Sequence, residues 1–142
     1  MKDFLQIILV VLYFMVGLIG FVMACKSIFA RKYLSFHEKA AGKSWDEIEK
    51  PLQSVIVSLL RLGGLGFLTV SILLIIYPIA DHFIPNVFYR YAIPATAFIF
   101  CSGLFANNYI LHKRTRADTP WKGALYAMII LGVGLVVQSL AQ

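Results

Sequence analysis

The chain has 142 residues, of which 60% are apolar and 14% are charged, and its mean hydropathy is +0.79. Soluble domains carry about 45–50% apolar and about 25% charged residues, so the composition excludes an ordinary soluble domain. The net charge of +6 does not by itself indicate nucleic-acid binding, because membrane topology explains the positions of the basic residues better. We therefore expect an integral membrane protein that does not bind nucleic acid.

Four apolar runs predict helices that cross a membrane. Each run is close to the length of about 20 residues that a spanning helix needs. None of them alternates apolar and polar residues as the strands of a membrane barrel do. Only helices and closed barrels satisfy their backbone groups in hydrocarbon, so the sequence predicts an all-α membrane protein, residues 1–142, as a single domain. The runs are residues 4–25, 62–79, 91–111 and 123–140.

The basic residues predict the orientation of these helices. Ten of them lie in residues 26–50 and 112–122, whereas Lys2 and Arg90 are the two on the other side. Loops rich in Lys and Arg stay in the cytoplasm. We therefore expect both loops to be cytoplasmic and both termini to be periplasmic, as in a protein of the bacterial inner membrane. The ten are Lys26, Arg31, Lys32, Lys39, Lys43, Lys50, Lys113, Arg114, Arg116 and Lys122.

The segment "AAGKSWDEIEKP" carries helix stop and start signals almost back to back. Gly42 can adopt the left-handed conformation that ends a helix. Ser44 and Glu47 have the spacing of a capping box that begins one. The sequence thus predicts that the first helix continues through residues 26–41 and that the second begins near Trp45. The two would form a cytosolic helical hairpin.

The hairpin predicts the depth of Arg61, which precedes the second apolar run. With a turn at Lys43, antiparallel helices would place Arg61 level with Cys25, the last residue of the first apolar run. Its long side chain could bury its methylene groups while the guanidinium reaches phosphates or water. In the first interpretation Arg61 is therefore an anchor at the cytosolic boundary of the membrane.

A second interpretation makes Arg61 part of an anion site. Ser58 lies three residues earlier on the same helical face, and Asn107, Asn108 and His112 approach the same boundary from the third spanning helix. No Asp or Glu interrupts the four apolar runs, so the guanidinium is left for an external anion such as a lipid phosphate. These five residues are the candidate anion- or lipid-binding residues. Alternatively, the asparagines form hydrogen bonds between helices or mark the edge of the membrane.

Catalytic and metal-binding motifs are missing from the sequence. The three histidines are scattered over both sides of the membrane, and no zinc-protease, nucleophile-elbow, phosphate-loop or paired-carboxylate pattern occurs. The two cysteines have no metal-ligand spacing. The sequence therefore predicts no catalytic residues, no metal and no other cofactor.

Glycines cluster within three of the apolar runs and are expected to let helices pack closely. The expected partners are membrane lipids, and a second copy or another membrane subunit remains open because no strict Gly-x-x-x-Gly repeat occurs. The glycines are Gly17, Gly20, Gly63, Gly64, Gly66, Gly132 and Gly134.

Two segments, "GKSWDEIEKPLQSVIVSLLRLGGLGFL" and "HKRTRADTPWKGAL", resemble a pattern found in small four-helix bacterial integral membrane proteins whose function is not assigned. The similarity rests on the Ser-Trp-Asp-Glu turn, Pro51, Gln53, Arg61 with its glycines, and the Thr119-Pro120-Trp121 entry to the last helix. The resemblance implies a four-helix fold but supplies no activity.

The architecture is also similar to that of the membrane-associated proteins of eicosanoid and glutathione metabolism. Those enzymes carry an acid, a base and an amide where this chain has Leu60, Arg61 and Leu65. The sequence favours a non-catalytic, lipid-contacting or partner-binding subunit. The alternative is a membrane-embedded enzyme that binds glutathione or a lipid phosphate at the cytosolic boundary.

Overall fold

The computed structural model describes residues 2–83 and 86–140, and in these ranges the chain folds into helices joined by turns, with no strand. A single turn of 3₁₀-helix, Trp45–Glu47, precedes α3. The helices are α1 (Lys2–Ile28), α2 (Ser35–Ala41), α3 (Lys50–Phe83), α4 (Val87–Thr115) and α5 (Trp121–Leu140).

Four helices in this part of the chain, α1, α3, α4 and α5, are long and apolar enough to cross a membrane. Large apolar side chains cover their outward faces, as expected where lipid rather than water is the solvent. The prediction of an all-α fold with four candidate spans is confirmed.

The long helices pack as two antiparallel pairs, α1 with α3 and α4 with α5, and the pairs meet mainly through α3 and α4. All four contribute to one buried cluster that includes Tyr13, Leu74, Ala97 and Leu131. Residues 29–49 and 116–120 connect helices at the same end of the bundle, which we call the basic end. The start of α1 and the end of α5 lie at the other end, which we call the terminal end.

Small residues allow a close contact between α1 and α3. Gly20 lies against Ser71, and Gly64 lies against Ser27 and Ile28. Because lipid supplies no hydrophobic force between helices, such residues stabilise the pair by allowing close backbone packing. Two contacts on separate turns fix the antiparallel register.

The basic end differs from the predicted continuous hairpin. Helix α1 ends at Ile28, the chain is non-helical over residues 29–34, and α3 begins at Lys50 rather than near Trp45. The local signals are nevertheless correct, because Gly42 has φ +64° at the end of α2. The Glu47 carboxylate accepts a hydrogen bond from the Ser44 N–H at 2.9 Å. The prediction failed because Gly42 ends a helix of only seven residues and Ser44 begins a 3₁₀ turn. Neither residue marks the end of a long helix.

The observed register also changes the level of Arg61. Gly64 lies opposite Ser27 and Ile28, and Arg61 precedes Gly64 by about one helical turn. Arg61 therefore lies level with the chain that follows the end of α1. The prediction that it lies level with Cys25 is wrong, because α1 and α3 are not symmetric arms around Lys43.

The terminal end contains a buried polar cluster that the sequence analysis missed. The Gln138 side-chain amide donates a hydrogen bond to the Tyr77 hydroxyl at 2.8 Å. The Tyr91 hydroxyl donates to the Gln138 backbone carbonyl at 3.3 Å, and the fully buried Tyr13 packs edge-on against Tyr77 with ring centroids 5.5 Å apart. The cluster joins all four long helices, as interhelical hydrogen bonds do in membranes.

Two adjacent glycines provide a test of the α1–α3 contact. A Cβ at position 64 would lie 2.7 Å from Ile28 Cγ1 and 2.9 Å from the Ile28 backbone nitrogen. We expect Gly64→Ala to lower the free energy of unfolding by about 1–3 kcal/mol, the usual cost of overpacking. Unfolding would be measured by SDS titration in mixed micelles, with helicity followed by circular dichroism.

Gly63→Ala is the matched control, because nothing in the described structure lies within 4 Å of a Cβ there. Sequence reasoning grouped Gly63 with the packing glycines, but its position faces open space. This substitution should be neutral or stabilise α3 by up to about 1 kcal/mol. Equal stability of the two variants would contradict the close α1–α3 contact.

Candidate functional site at the basic end

Arg61 and Ser58 lie on exposed surface near the start of α3. Farther along α3, Gly64 and Ser71 are buried against α1. Side chains of α3 are thus buried at these positions, where α1 runs beside it, and Ser58 and Arg61 are exposed nearer the end of α1. Arg61 forms no hydrogen bond or ion pair with any described residue. Its guanidinium is therefore available to a group outside this part of the chain.

Asn107 and Asn108 direct their side-chain amides back to their own helix. The Asn107 Nδ2 donates to the Gly103 carbonyl at 3.1 Å, and the Asn108 Nδ2 donates to the Leu104 carbonyl at 2.9 Å. These bonds stay within α4, so neither asparagine forms the predicted hydrogen bond to another helix through this amide. Asn107 is exposed and Asn108 is half-buried.

His112 belongs to the turn that joins α4 to α5. Its Nδ1 lies 2.7 Å from the Ala117 carbonyl oxygen, and its ring packs near Trp121 with centroids 6.0 Å apart. The Thr119 hydroxyl donates to the Asn108 carbonyl at 2.8 Å. The five predicted site residues therefore lie at the same end of the bundle. The three on α4, however, form hydrogen bonds within α4 or with the turn that follows it.

The connection between α1 and α3 is a folded unit rather than a loose loop. Tyr33 is buried and packs edge-on against Trp45 with ring centroids 4.9 Å apart. The Tyr33 hydroxyl donates to the Lys43 carbonyl, and the Gln53 Nε2 donates to the Trp45 carbonyl at 2.8 Å. These contacts tie both sides of the connection to the first turns of α3.

The folded connection leaves a groove between α2, α3 and α4 with a volume of about 500 Å³. Its walls include His37 and Ala40 from α2, Ile56 and Leu60 from α3, and Leu111 from α4. Most of this lining is apolar. No local motif marks the groove in the sequence, because its walls come from three separate segments.

His37 is a buried polar group that sequence reasoning missed, since it assigned no role to this histidine. Its Nδ1 is buried and has no hydrogen-bond partner among the described residues. Burial lowers the pKa of the imidazole from its usual value of 6.5, because an apolar environment disfavours the charged form. The ring is therefore neutral at neutral pH.

The burial of His37 predicts a pH dependence. Because its pKa is lower in the folded protein than in the unfolded chain, its contribution to stability is complete above about pH 6.5. As the pH falls below that value, the unfolded chain takes up the proton first, so stability falls. An NMR titration of the His37 imidazole should give a midpoint below 6.5.

Thermal unfolding in micelles at pH 7.5 and pH 5.5 should show a larger loss of stability for the wild type than for His37→Phe, which keeps an aromatic ring but cannot be protonated. A titration midpoint at or above the usual value, together with equal losses for the two proteins, would contradict the burial of this ring.

No group of three or more His, Cys, Asp or Glu side chains within residues 2–83 and 86–140 is arranged to hold a metal ion. Comparison with known proteins gives no assignment either: no family model, no curated protein and no solved structure matches this chain. Function must therefore be argued from the residues and their geometry.

Proposed function

We propose that this chain is a non-catalytic integral membrane protein whose basic end binds the headgroups of anionic lipids. The observation that carries the proposal is the position of Arg61. Its side chain is exposed, it has no partner among the described residues, and it lies level with the chain just beyond the end of α1. An arginine at that level can reach lipid phosphates while its methylene groups stay in apolar surroundings.

The charge of the two connections supports the same proposal. All ten basic residues of residues 26–50 and 112–122 are exposed, and they outnumber the five acidic residues of these loops. Each basic residue close to an anionic membrane surface contributes about 1 kcal/mol of attraction. The five acidic residues are Glu38, Asp46, Glu47, Glu49 and Asp118.

The alternative is an enzyme that binds glutathione or a lipid phosphate, and it has less support. It would require Asn107, Asn108 and His112 to meet Arg61 around one anion. The amide groups of both asparagines donate within α4, and His112 is engaged by the Ala117 carbonyl. Lipid binding by Arg61 requires no such rearrangement.

Tryptophan fluorescence can test lipid binding, because Trp45 and Trp121 are the only tryptophans of the chain and both lie at the basic end. The protein would be reconstituted in vesicles that contain phosphatidylglycerol or phosphatidylcholine brominated near the headgroup end of the acyl chains. We expect stronger quenching by the brominated anionic lipid. Arg61→Gln should reduce the preference about fivefold, which corresponds to the loss of about 1 kcal/mol.

Arg90→Gln is the matched control, because it removes the same charge from the opposite end of the bundle. It should leave the preference unchanged. Equal quenching by the two lipids in the wild type, or an equal effect of both substitutions, would refute the proposed lipid-binding function.

The same charge bias supports a cytoplasmic basic end and periplasmic termini in a bacterial inner membrane. Single cysteines can test this orientation in a background that lacks Cys25 and Cys101. A membrane-impermeant maleimide added to intact spheroplasts should label Ser139→Cys and should not label Lys43→Cys. Both positions are exposed, so lysed spheroplasts, in which both should react, provide the control. Labelling of Lys43→Cys alone in intact spheroplasts would reverse the orientation.

A further inference from the structure

The groove at the basic end has the size and lining of a ligand site. Its volume of about 500 Å³ lies within the range of about 300–1,000 Å³ that is usual for small-molecule sites. Ile56, Leu60 and Leu111 supply aliphatic walls, and Ala40 and Ala41 supply a side without bulky groups. Such a lining favours an apolar occupant.

The groove is continuous with the lipid-facing surface of the protein. Leu59 lines it and is 62% exposed, and Leu59 and Leu111 belong to two of the candidate spans, Lys50–Tyr77 and Val87–Thr115. The opposite wall, α2, lies outside the spans. A chain from the surrounding bilayer could therefore enter sideways without crossing water.

Two residues of the lining, His37 and Tyr33, carry polar groups. The Nδ1 of His37 is buried within the protein and has no hydrogen-bond partner among the described residues, so it does not face the groove. The Tyr33 hydroxyl already donates to the Lys43 carbonyl. The choice of occupant therefore depends on the apolar walls and on the charges beside them.

Positive charge lies next to the groove. Arg61 directly follows Leu60 in α3 and is exposed, and Lys39 precedes Ala40 in α2 and is also exposed. Glu38, Glu47 and Glu49 are acidic neighbours of the lining, but the basic end as a whole carries more basic than acidic residues. The apolar walls match the acyl chains of a glycerophospholipid, and the nearby cations match its phosphate.

We propose that this groove binds one anionic glycerophospholipid of the membrane, with an acyl chain against Leu60 and Leu111 and the phosphate toward Arg61. The inference rests on the proposed lipid-binding function and adds to it a single site of defined composition. A bound lipid would lie between α2 and the ends of α3 and α4, so it would stabilise the folded connection.

Photocrosslinking can test the site. Phosphatidylglycerol with a diazirine on one acyl chain would be reconstituted with the full chain, irradiated and mapped by peptide mass spectrometry. We expect crosslinks to groove residues of α2 and α3 and to Leu111 in the wild type. Ala40→Trp, which fills the groove, should reduce these crosslinks at least fivefold.

Ala106→Trp is the matched control, because Ala106 is an exposed residue of α4 that is not part of the groove lining. It should leave the groove crosslinks unchanged. Arg61→Gln removes the cation beside the groove and leaves its apolar walls unchanged, so native mass spectrometry after mild delipidation should show a severalfold loss of retained phosphatidylglycerol. This second variant keeps the proposal testable if Ala40→Trp does not fold.

Crosslinks confined to outward-facing residues, or groove crosslinks that survive in a folded Ala40→Trp protein, would overturn the proposal. So would a dimer in light scattering that Ala40→Trp converts to a monomer, which would assign the groove to a second copy. If the brominated-lipid preference persists while the groove crosslinks are absent, only the groove site fails. If the preference is also absent, the proposed function fails with it.

Discussion

The close antiparallel contact between α1 and α3 is the constraint on which the basic end depends. It is made where glycine and serine let the two backbones approach, at Gly20 against Ser71 and at Gly64 against Ser27. In lipid, helices associate through packing rather than through the hydrophobic effect, so these positions decide the register. Because of this register, α1 does not run beside the first turns of α3 beyond Ile28, and Arg61 lies on an exposed part of those turns.

The break after Ile28 shows how tertiary contacts can outweigh helical propensity. Two continuous arms would place residues 29–49 in water as a pair of thin rods with little to bury. The observed fold instead buries Tyr33 against Trp45 and ties the Trp45 carbonyl to Gln53 on α3. By bending back, the connection brings α2 over α3 and α4 and creates the groove. The lost helical bonds of the connection are thus offset by aromatic packing and side-chain bonds.

The parts of this fold that the sequence could predict are those that a single segment or the solvent determines. The bilayer imposes a length and a composition on every span, so four helices could be found from apolar runs alone. Gly42 and the Ser44–Glu47 pair could be recognised because capping is local. The level of Arg61, the groove and the Tyr77–Gln138 hydrogen bond depend on residues far apart in the chain, so spacing alone could not predict them.

Polar side chains point inward at the terminal end of the bundle, whereas Arg61 points outward at the basic end. At the terminal end Gln138 and Tyr77 turn inward, where the amide N–H of Gln138 donates to the Tyr77 hydroxyl across helices. Arg61 has no acidic residue in the four apolar runs to pair with, and burying an unpaired guanidinium would cost several kilocalories per mole. An outward arginine at the edge of the spans avoids that cost, and there the most abundant available anion is a lipid phosphate. The outward position of Arg61 therefore follows from the lack of an acidic residue in the four apolar runs.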